Sequence, residues 1–233
     1  MIKKCYSRIR MVSINQPTSF CSRTYRLTNY MATTTQKDLK GNVMIQGVRC
    51  YFFKVDGGGR LFLEDTKHKN FVSCFTDADF LQFFYTHVRP NTSSSNPYYD
   101  DSLTPSSTYP YVSVCQGEYN YIQCDVSTPF VAIEVSENEQ GEDELVYAGG
   151  HLTIPFDPSS LTLDFDSARV YHPYERSKKW KKKYQHHQCC LSDVLTNKLP
   201  FEWVQDDQLV LHWKNQTYPV RISYANEESN ERL

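Results

Sequence analysis

The chain has 233 residues, enough for one domain or two small ones, because domains usually run to about 100–200 residues. Its hydrophobic fraction of 39% and its mean hydropathy of -0.59 exclude a bundle of membrane-spanning helices. The longest uncharged apolar runs, such as residues 130–133, are far shorter than the roughly 20 residues that a spanning helix needs. From these short apolar runs we expect a soluble chain without a transmembrane segment. The formal net charge of -2 does not indicate a polyanionic partner.

The first 37 residues are basic and rich in Ser and Thr. They contain seven Lys or Arg residues and no Asp or Glu. Import receptors and an inside-negative potential attract such a segment, and acidic groups would oppose both. We therefore predict that residues 1–37 are an organelle import sequence; a disordered basic tail is the alternative.

Residues 51–91 carry the pattern of a hairpin followed by a helix. Two aromatic and aliphatic runs of strand length, 51–55 and 61–64, flank Asp56-Gly57-Gly58-Gly59, which tolerates the positive φ of a tight turn. Thr76 or Asp77 can cap a helix, and Pro90 ends it. These signals predict a main helix at about 77–88.

The predicted helix has an aromatic stripe, because Phe80, Phe83, Phe84 and Val88 fall on one face. We expect this face to pack on the hairpin. Downstream, residues 92–110 combine Ser, Pro, Asn and Asp without periodicity, which predicts a long, mobile surface loop.

The pattern of the rest of the chain predicts short strands in antiparallel hairpins, with a second short helix near 191–199. Residues 111–115 and 119–125 flank Gln116-Gly117-Glu118, and a third hairpin turns at Lys214-Asn215-Gln216. The predicted fold class is α+β, a β-rich antiparallel meander with one main aromatic-faced helix. The predicted divisions after the import sequence are an α+β half, a β-rich half and a disordered tail, at residues 42–125, 126–224 and 225–233.

A dense basic run lies at residues 176–190, in the second half. Its cationic and aromatic members could bind RNA or anionic lipid, and they are Lys178, Lys179, Trp180, Lys181, Lys182 and Lys183. The alternative is an exposed loop or helix face, which is the usual outcome for basic motifs of this length. Nucleic acid is therefore the disfavoured partner.

No motif of catalysis or of metal binding is present. The glycine run 57–59 lacks the following Lys and Ser or Thr of a phosphate loop, and no GxSxG, HExxH or kinase signature occurs. The eight cysteines are expected to be reduced, because the chain lacks the apolar stretch of a secretory signal. We predict no metal and no cofactor.

Several separated blocks resemble a known family. The blocks YFFKVDGGGRLFLEDTKHKNFVSCF, FFYTHVRPN, SVCQGEYNYIQCD, YAGGHLTIPFDPSSL and RVYHP resemble uncharacterised protein family 0598 over residues 51–173. This eukaryotic group is regarded as mitochondrial, so the resemblance implies location in mitochondria, most simply in the matrix, rather than an activity. The order of the elements is also similar to a bacterial domain of unknown function, number 1285, which is suspected of binding a ligand.

Polar residues inside these blocks are the candidate ligand site. They lie in the connector after the first hairpin, after the helix, at the second turn and before Pro173, and are Lys67, Lys69, Arg89, Asn91, Glu118, Asn120 and His172. The alternative is that they satisfy turns or face solvent. If they form one site, its cations favour a small ligand with a carboxylate or phosphate group.

These observations lead to three predictions of function. The leading prediction is a noncatalytic mitochondrial protein that binds a small anionic ligand or a partner in a cleft between its halves. The second is an enzyme with a dispersed site, for which His172, Glu118 and Asp164 are the titratable candidates. The third is an RNA- or lipid-binding module that uses the basic run.

Overall fold

The computed structural model describes residues 35–37, 43–174, 187–205 and 208–224. Three predicted features lie outside these ranges: the import sequence up to residue 34, the basic run Lys178–Lys183 and the tail 225–233. Within the described ranges the chain forms eighteen strands and two α-helices.

The first sheet is built around the hairpin strand β3. Its members are β1 (Thr35–Lys37), β2 (Val43–Ile45), β3 (Val48–Val55), β4 (Leu61–Leu63), β5 (Val88–Pro90), β6 (Tyr111–Cys115) and β7 (Glu118–Cys124). The order is β1-β2-β3-β7-β6-β5, and β4 also pairs with β3. The central pair, β3 with β7, is parallel, from Cys50 opposite Tyr119 to Val55 opposite Cys124.

The remaining strands form three smaller sheets. One has the order β11-β10-β9, from Leu152–Pro155, Asp143–Tyr147 and Glu134–Glu137. A second has the order β18-β12-β13-β14-β8, from Arg221–Ser223, Thr162–Asp164, Arg169–Pro173, Gln188–Leu191 and Val131–Ala132. The third has the order β15-β16-β17, from Phe201–Gln205, Gln208–Trp213 and Gln216–Pro219. Short 3-10 turns cover Ala148–Gly150 and Pro158–Ser160.

The three predicted hairpins are confirmed, and local turn chemistry explains them. Gln116 and Gly117 both have positive φ (52° and 81°), as do Lys214 and Asn215 (45° and 63°). Two consecutive residues with positive φ match the right-handed twist of the flanking strands. The first hairpin turns at residues 56–60, where the side chain of Asp56 accepts the backbone N–H of Gly58 at 3.0 Å.

Helix α1 (Ala78–Thr86) lies inside the range predicted for it. Asp77 is the N-cap, and its carboxylate accepts the N–H of Phe80 at 2.8 Å. The predicted stripe needs correction, because the buried positions of the helix are Leu81, Phe84 and Tyr85. Phe80 and Phe83 are only half-buried, and Val88 belongs to β5. Helix α2 (Asp193–Lys198) lies in the second predicted range, with Ser192 as N-cap.

The predicted α+β class with a main helix is wrong, since the fold is β-rich. Helices α1 and α2 have nine and six residues, whereas the strands of four sheets make up most of the ordered elements. The purely antiparallel arrangement is also wrong. Strand β3 pairs with β7, β12 with β18 and β8 with β14 in parallel. Hairpin signals are local, so they miss pairings between strands that are distant in sequence.

The main core joins residues from both sides of position 125. Phe53, Phe84 and Ile122 share one buried cluster with Leu145 and Leu211. Whether the chain divides into halves at 125/126 stays a prediction.

Neither described α-helix is of the length and apolar character that crossing a membrane requires.

An irregular segment, residues 92–110, covers the other face of the first sheet. Its Tyr98, Leu103 and Tyr109 pack on a smaller buried cluster that includes Tyr121. The Tyr109 hydroxyl also donates to the carboxylate of Glu64 at 2.9 Å. The segment is irregular, as predicted, but it is attached to the sheet by ring packing and hydrogen bonds.

A charged contact joins the β9-β10 hairpin to the β16-β17 hairpin. Lys214 Nζ lies 2.9 Å from Asp143 Oδ1 and 2.9 Å from Glu137 Oε2, and Trp213 Nε1 donates to Asp143 Oδ2 at 2.7 Å. Burial alone would raise the pKa of Asp143, but the hydrogen bonds from Lys214 and Trp213 hold this pKa below its ordinary value. The carboxylate is therefore the stabilised form.

Candidate functional site

The glycine turn of the first hairpin forms one side of a cleft. Asp56 Oδ1 accepts the backbone N–H groups of Gly58 and Arg60 at 3.0 and 2.9 Å, so one carboxylate oxygen holds the turn. Gly59 has φ +77°, and a Cβ there would lie 3.1 Å from the carbonyl oxygen of Val131. Glycine is therefore required where this turn meets strand β8.

The cleft has a volume of about 140 Å³. Its lining comes from the first hairpin and helix α1 on one side and from later segments on the other: Gly58, Gly59, Arg60, Leu61, Cys74, Phe75, Thr76, Leu81, Ile133 and Gly149. Residues from both sides of position 125 thus meet around one space.

The opposite wall also depends on a glycine. Gly149 has φ +69°, and a Cβ at this position would lie 2.9 Å from Leu81 Cδ1. A larger residue would push Leu81 away from the wall. The ring of His151 lies behind Gly149, with its Cδ2 atom 3.7 Å from the same Cβ position.

The polar groups of the cleft are a guanidinium, a hydroxyl and a thiol. Arg60 is the only charged residue among the described residues that line it, and Thr76 and Cys74 supply the hydroxyl and the thiol. These groups can orient a ligand by hydrogen bonds. Within the described residues, no group of three or more His, Cys, Asp or Glu side chains could hold a metal ion.

Cys74 differs in location from the other described cysteines. All six are free, as predicted. Burial raises the pKa of Cys50 and Cys190 to about 11 and that of Cys124 to about 12, and it raises the pKa of Cys115 and Cys189 as well. These five thiols are protonated at neutral pH. Cys74 is half-buried and lines the cleft.

The two predicted lysines lie in the exposed connector after β4. Lys69 Nζ donates to the carbonyl oxygens of Glu64 and Thr66, both at 2.8 Å. Lys67 is exposed. Neither residue lines the cleft, and the contacts of Lys69 close its own connector.

Arg89 and Asn91 lie on the side of the first sheet that segment 92–110 covers. Arg89 is opposite Val112, which shares its face with Tyr121. Asn91 is fully buried and donates to the carbonyl oxygens of Thr104 and Tyr109 at 3.1 and 3.0 Å. Asn91 therefore holds segment 92–110 in place.

Glu118 and Asn120 lie on the other side of that sheet. Glu118 forms an ion pair with Arg49 at 2.9 Å. Asn120 donates to the carbonyl oxygen of Ser113 at 2.9 Å, and its buried Oδ1 atom has no hydrogen-bond donor among the described residues. Because side chains alternate across a strand, Glu118 and Asn120 point to one face of the sheet and Arg89 points to the other.

His172 lies in β13, in a different sheet. Its Nε2 atom accepts the backbone N–H of Asp157 at 3.0 Å, so Nδ1 carries the proton and donates to the Pro173 carbonyl at 2.7 Å. Both ring nitrogens thus bind backbone. The seven predicted ligand residues do not come together in one site.

The three titratable candidates for an enzyme are also separated. Glu118 is in the first sheet, and Asp164 and His172 are in neighbouring strands of another. Asp164 is opposite Arg169, and Tyr171 is opposite Thr162, so Asp164 and His172 point to opposite faces of that sheet. The basic run Lys178–Lys183 with Trp180 lies outside the described residues.

Sequence reasoning missed the residues that line the cleft. The runs Gly57-Gly58-Gly59 and Gly149-Gly150 were the available signal, since both mark places where backbone passes close to another segment. Cys74, Thr76 and Ile133 carry no local signal, because only the contact between distant segments brings them to one space.

Comparison with protein families gives a match over most of the chain. A family model described as Domain of unknown function (DUF4505) matches residues 40–225. No solved structure matches the chain. The matched range includes residues 51–173, which carry the resemblance described above, and every residue that lines the cleft.

Proposed function

The chain belongs to the family described as Domain of unknown function (DUF4505), and we propose that it is a noncatalytic protein that binds a small ligand in the cleft at the glycine turn. The observation that carries this proposal is the composition of the cleft wall. Two structurally required glycines border a space of about 140 Å³ that segments from both sides of position 125 share.

The volume sets the size of the ligand. An apolar cavity of about 150 Å³ holds one benzene ring. The cleft of about 140 Å³ therefore accommodates a single ring or a short chain, or the recognised end of a longer molecule that extends into solvent.

The lining sets the character of the ligand. Leu61, Phe75, Leu81 and Ile133 present apolar side chains, and Arg60 and Thr76 add donors. Ligand sites usually combine apolar walls with a few placed polar groups. A mainly apolar molecule with one polar end fits this combination.

The same lining supports binding rather than catalysis. No His, Asp or Glu is among the described residues that line the cleft, so none of these lining residues is a general base for Cys74 or Thr76. Nucleophilic catalysis needs such a base within hydrogen-bond reach, or a lowered pKa of the nucleophile.

The proposal is tested with benzyl alcohol as the probe and ligand-observed NMR on the full chain. Benzyl alcohol should bind the parent protein. Thr76→Phe should abolish this binding because the new ring enters the cleft, whereas Thr153→Phe, a matched change at an exposed position of strand β11, should leave it intact.

Two results would contradict the proposal. One is absence of benzyl alcohol binding by the folded parent protein. The other is binding that Thr76→Phe and Thr153→Phe leave equally unchanged, since the probe would then occupy some other place. Denaturation curves of both variants establish that each is folded.

The narrower assignments are also proposals. We infer membership of uncharacterised protein family 0598 and mitochondrial location from the motif blocks and from the composition of residues 1–37. The likeness to bacterial domain of unknown function 1285 stays a prediction. RNA or lipid binding by Lys178–Lys183 gains no support, because these residues lie outside the described ranges.

A further inference from the structure

Arg60 stands at the rim of the cleft in a fixed orientation. Asp56 Oδ2 accepts from Arg60 Nε at 2.7 Å and lies 2.7 Å from Arg60 Nη2 in an ion pair. The other oxygen of Asp56 accepts two backbone N–H groups of the same turn. Because Asp56 binds the turn with one oxygen and Arg60 with the other, it ties the guanidinium to the turn.

The orientation leaves one edge of the guanidinium available. A guanidinium can bind a carboxylate through its Nε edge or through the edge formed by its two terminal nitrogens. Asp56 occupies the Nε edge. Among the described residues nothing accepts from Nη1, and the Arg60 side chain is 48% exposed.

The guanidinium of Arg60 lies beside the turn that lines the cleft. Arg60 and Gly58 both line the cleft, and a Cβ on Gly58 would lie 3.8 Å from Arg60 Nε, the nitrogen that Asp56 binds. The guanidinium also lies over the ring of Phe62, with its carbon 5.9 Å from the ring centre. The cation is therefore held between the turn and an aromatic face.

Two acidic groups near the cleft, Asp56 and Asp77, weaken the attraction of Arg60 for an anionic ligand without cancelling it. Asp56 offsets the charge of Arg60, and Asp77 follows Thr76 in the chain. The Asp77 carboxylate, however, accepts the N–H of Phe80 as the helix cap. No acidic side chain is among the described residues that line the cleft.

We propose that the ligand carries a carboxylate, which the free edge of Arg60 binds while the apolar part of the ligand fills the cleft. Asp56 acts as a positioning residue for Arg60. This inference rests on the proposed function, because it names the chemical class of the ligand for the same site.

Three probes of one size and different charge test the inference on the full chain. Benzoate, benzyl alcohol and benzylamine are compared by ligand-observed NMR titration. Benzoate should bind roughly fivefold more tightly than benzyl alcohol, since a partly exposed ion pair contributes about that factor. Benzylamine should bind most weakly.

Variants of Arg60 assign the preference to its side chain. Arg60→Gln should bring benzoate down to the affinity of benzyl alcohol, whereas Arg221→Gln, at an exposed position of β18, should keep the preference. Arg60→Lys retains the cation and its ion pair but not the planar fork, so its preference for benzoate should lie between those of the parent and Arg60→Gln.

The outcomes separate the two proposals. Binding of none of the probes overturns both the proposed function and the inference. Equal binding of benzoate and benzyl alcohol by the parent overturns the carboxylate class alone. A preference for benzoate that both Arg60 variants retain overturns the assignment to Arg60.

Discussion

Replacing Gly59 by alanine tests whether the contact between the glycine turn and strand β8 is as close as the structure shows. Gly59 has φ +77°, and the added Cβ would lie 3.1 Å from Val131 O and 3.2 Å from Val131 Cβ. Val131 is buried in β8, so its backbone has little room to move. The change therefore combines backbone strain with overpacking.

Gly117 provides a matched control. It has φ +81°, also sits in a hairpin turn, and has nothing within 4 Å of an added Cβ. Gly117→Ala should lower the free energy of unfolding by about 1–2 kcal/mol, the cost of an L residue in the left-handed region. Gly59→Ala should cost about 2–5 kcal/mol, because overpacking adds about 1–3 kcal/mol to the same strain.

Urea denaturation of the full chain measures both values. The loss of unfolded-state entropy on changing glycine to alanine is the same for the two variants, so it cancels in their difference. Equal costs within about 0.5 kcal/mol would refute the close contact between Gly59 and Val131, since Gly117 has no such contact.

Three further predictions concern the core, one carboxylate and the first residues of the chain. Phe84→Ala should lower the free energy of unfolding by about 3–5 kcal/mol because this ring is fully buried, whereas Phe71→Ala, 77% exposed, should change it by less than about 0.5 kcal/mol in the same urea titration. The folded-state pKa of Asp143 is lowered, so its stabilising effect is complete above the ordinary carboxyl pKa of about 3.9 and is lost as the pH falls through the lower folded value. Accordingly, the stability difference between the parent and Asp143→Asn should shrink from about pH 7 to about pH 2, and a constant difference would contradict the role of Lys214. A reporter fused to residues 1–40 should enter mitochondria and its basic-to-Ala version should not; cytosolic location of both would end that proposal.

The sequence alone determined the elements whose geometry depends on neighbouring residues. The turns at Asp56–Gly59 and Gln116–Gly117 follow from residues that accept positive φ or bind their own backbone, and α1 follows from the Asp77 cap. These interactions span only a few positions. A pattern in the sequence is therefore sufficient to locate them.

Only the tertiary structure decided how these elements combine. The parallel pairing of β3 with β7 joins Cys50 to Tyr119 across a long stretch of chain, and no local pattern encodes it. Burial of Asn91 likewise depends on segment 92–110 folding over the sheet. The cleft arises where the turn at Gly59 meets Val131 and where Leu81 meets Gly149, because close packing brings together residues that are far apart in sequence.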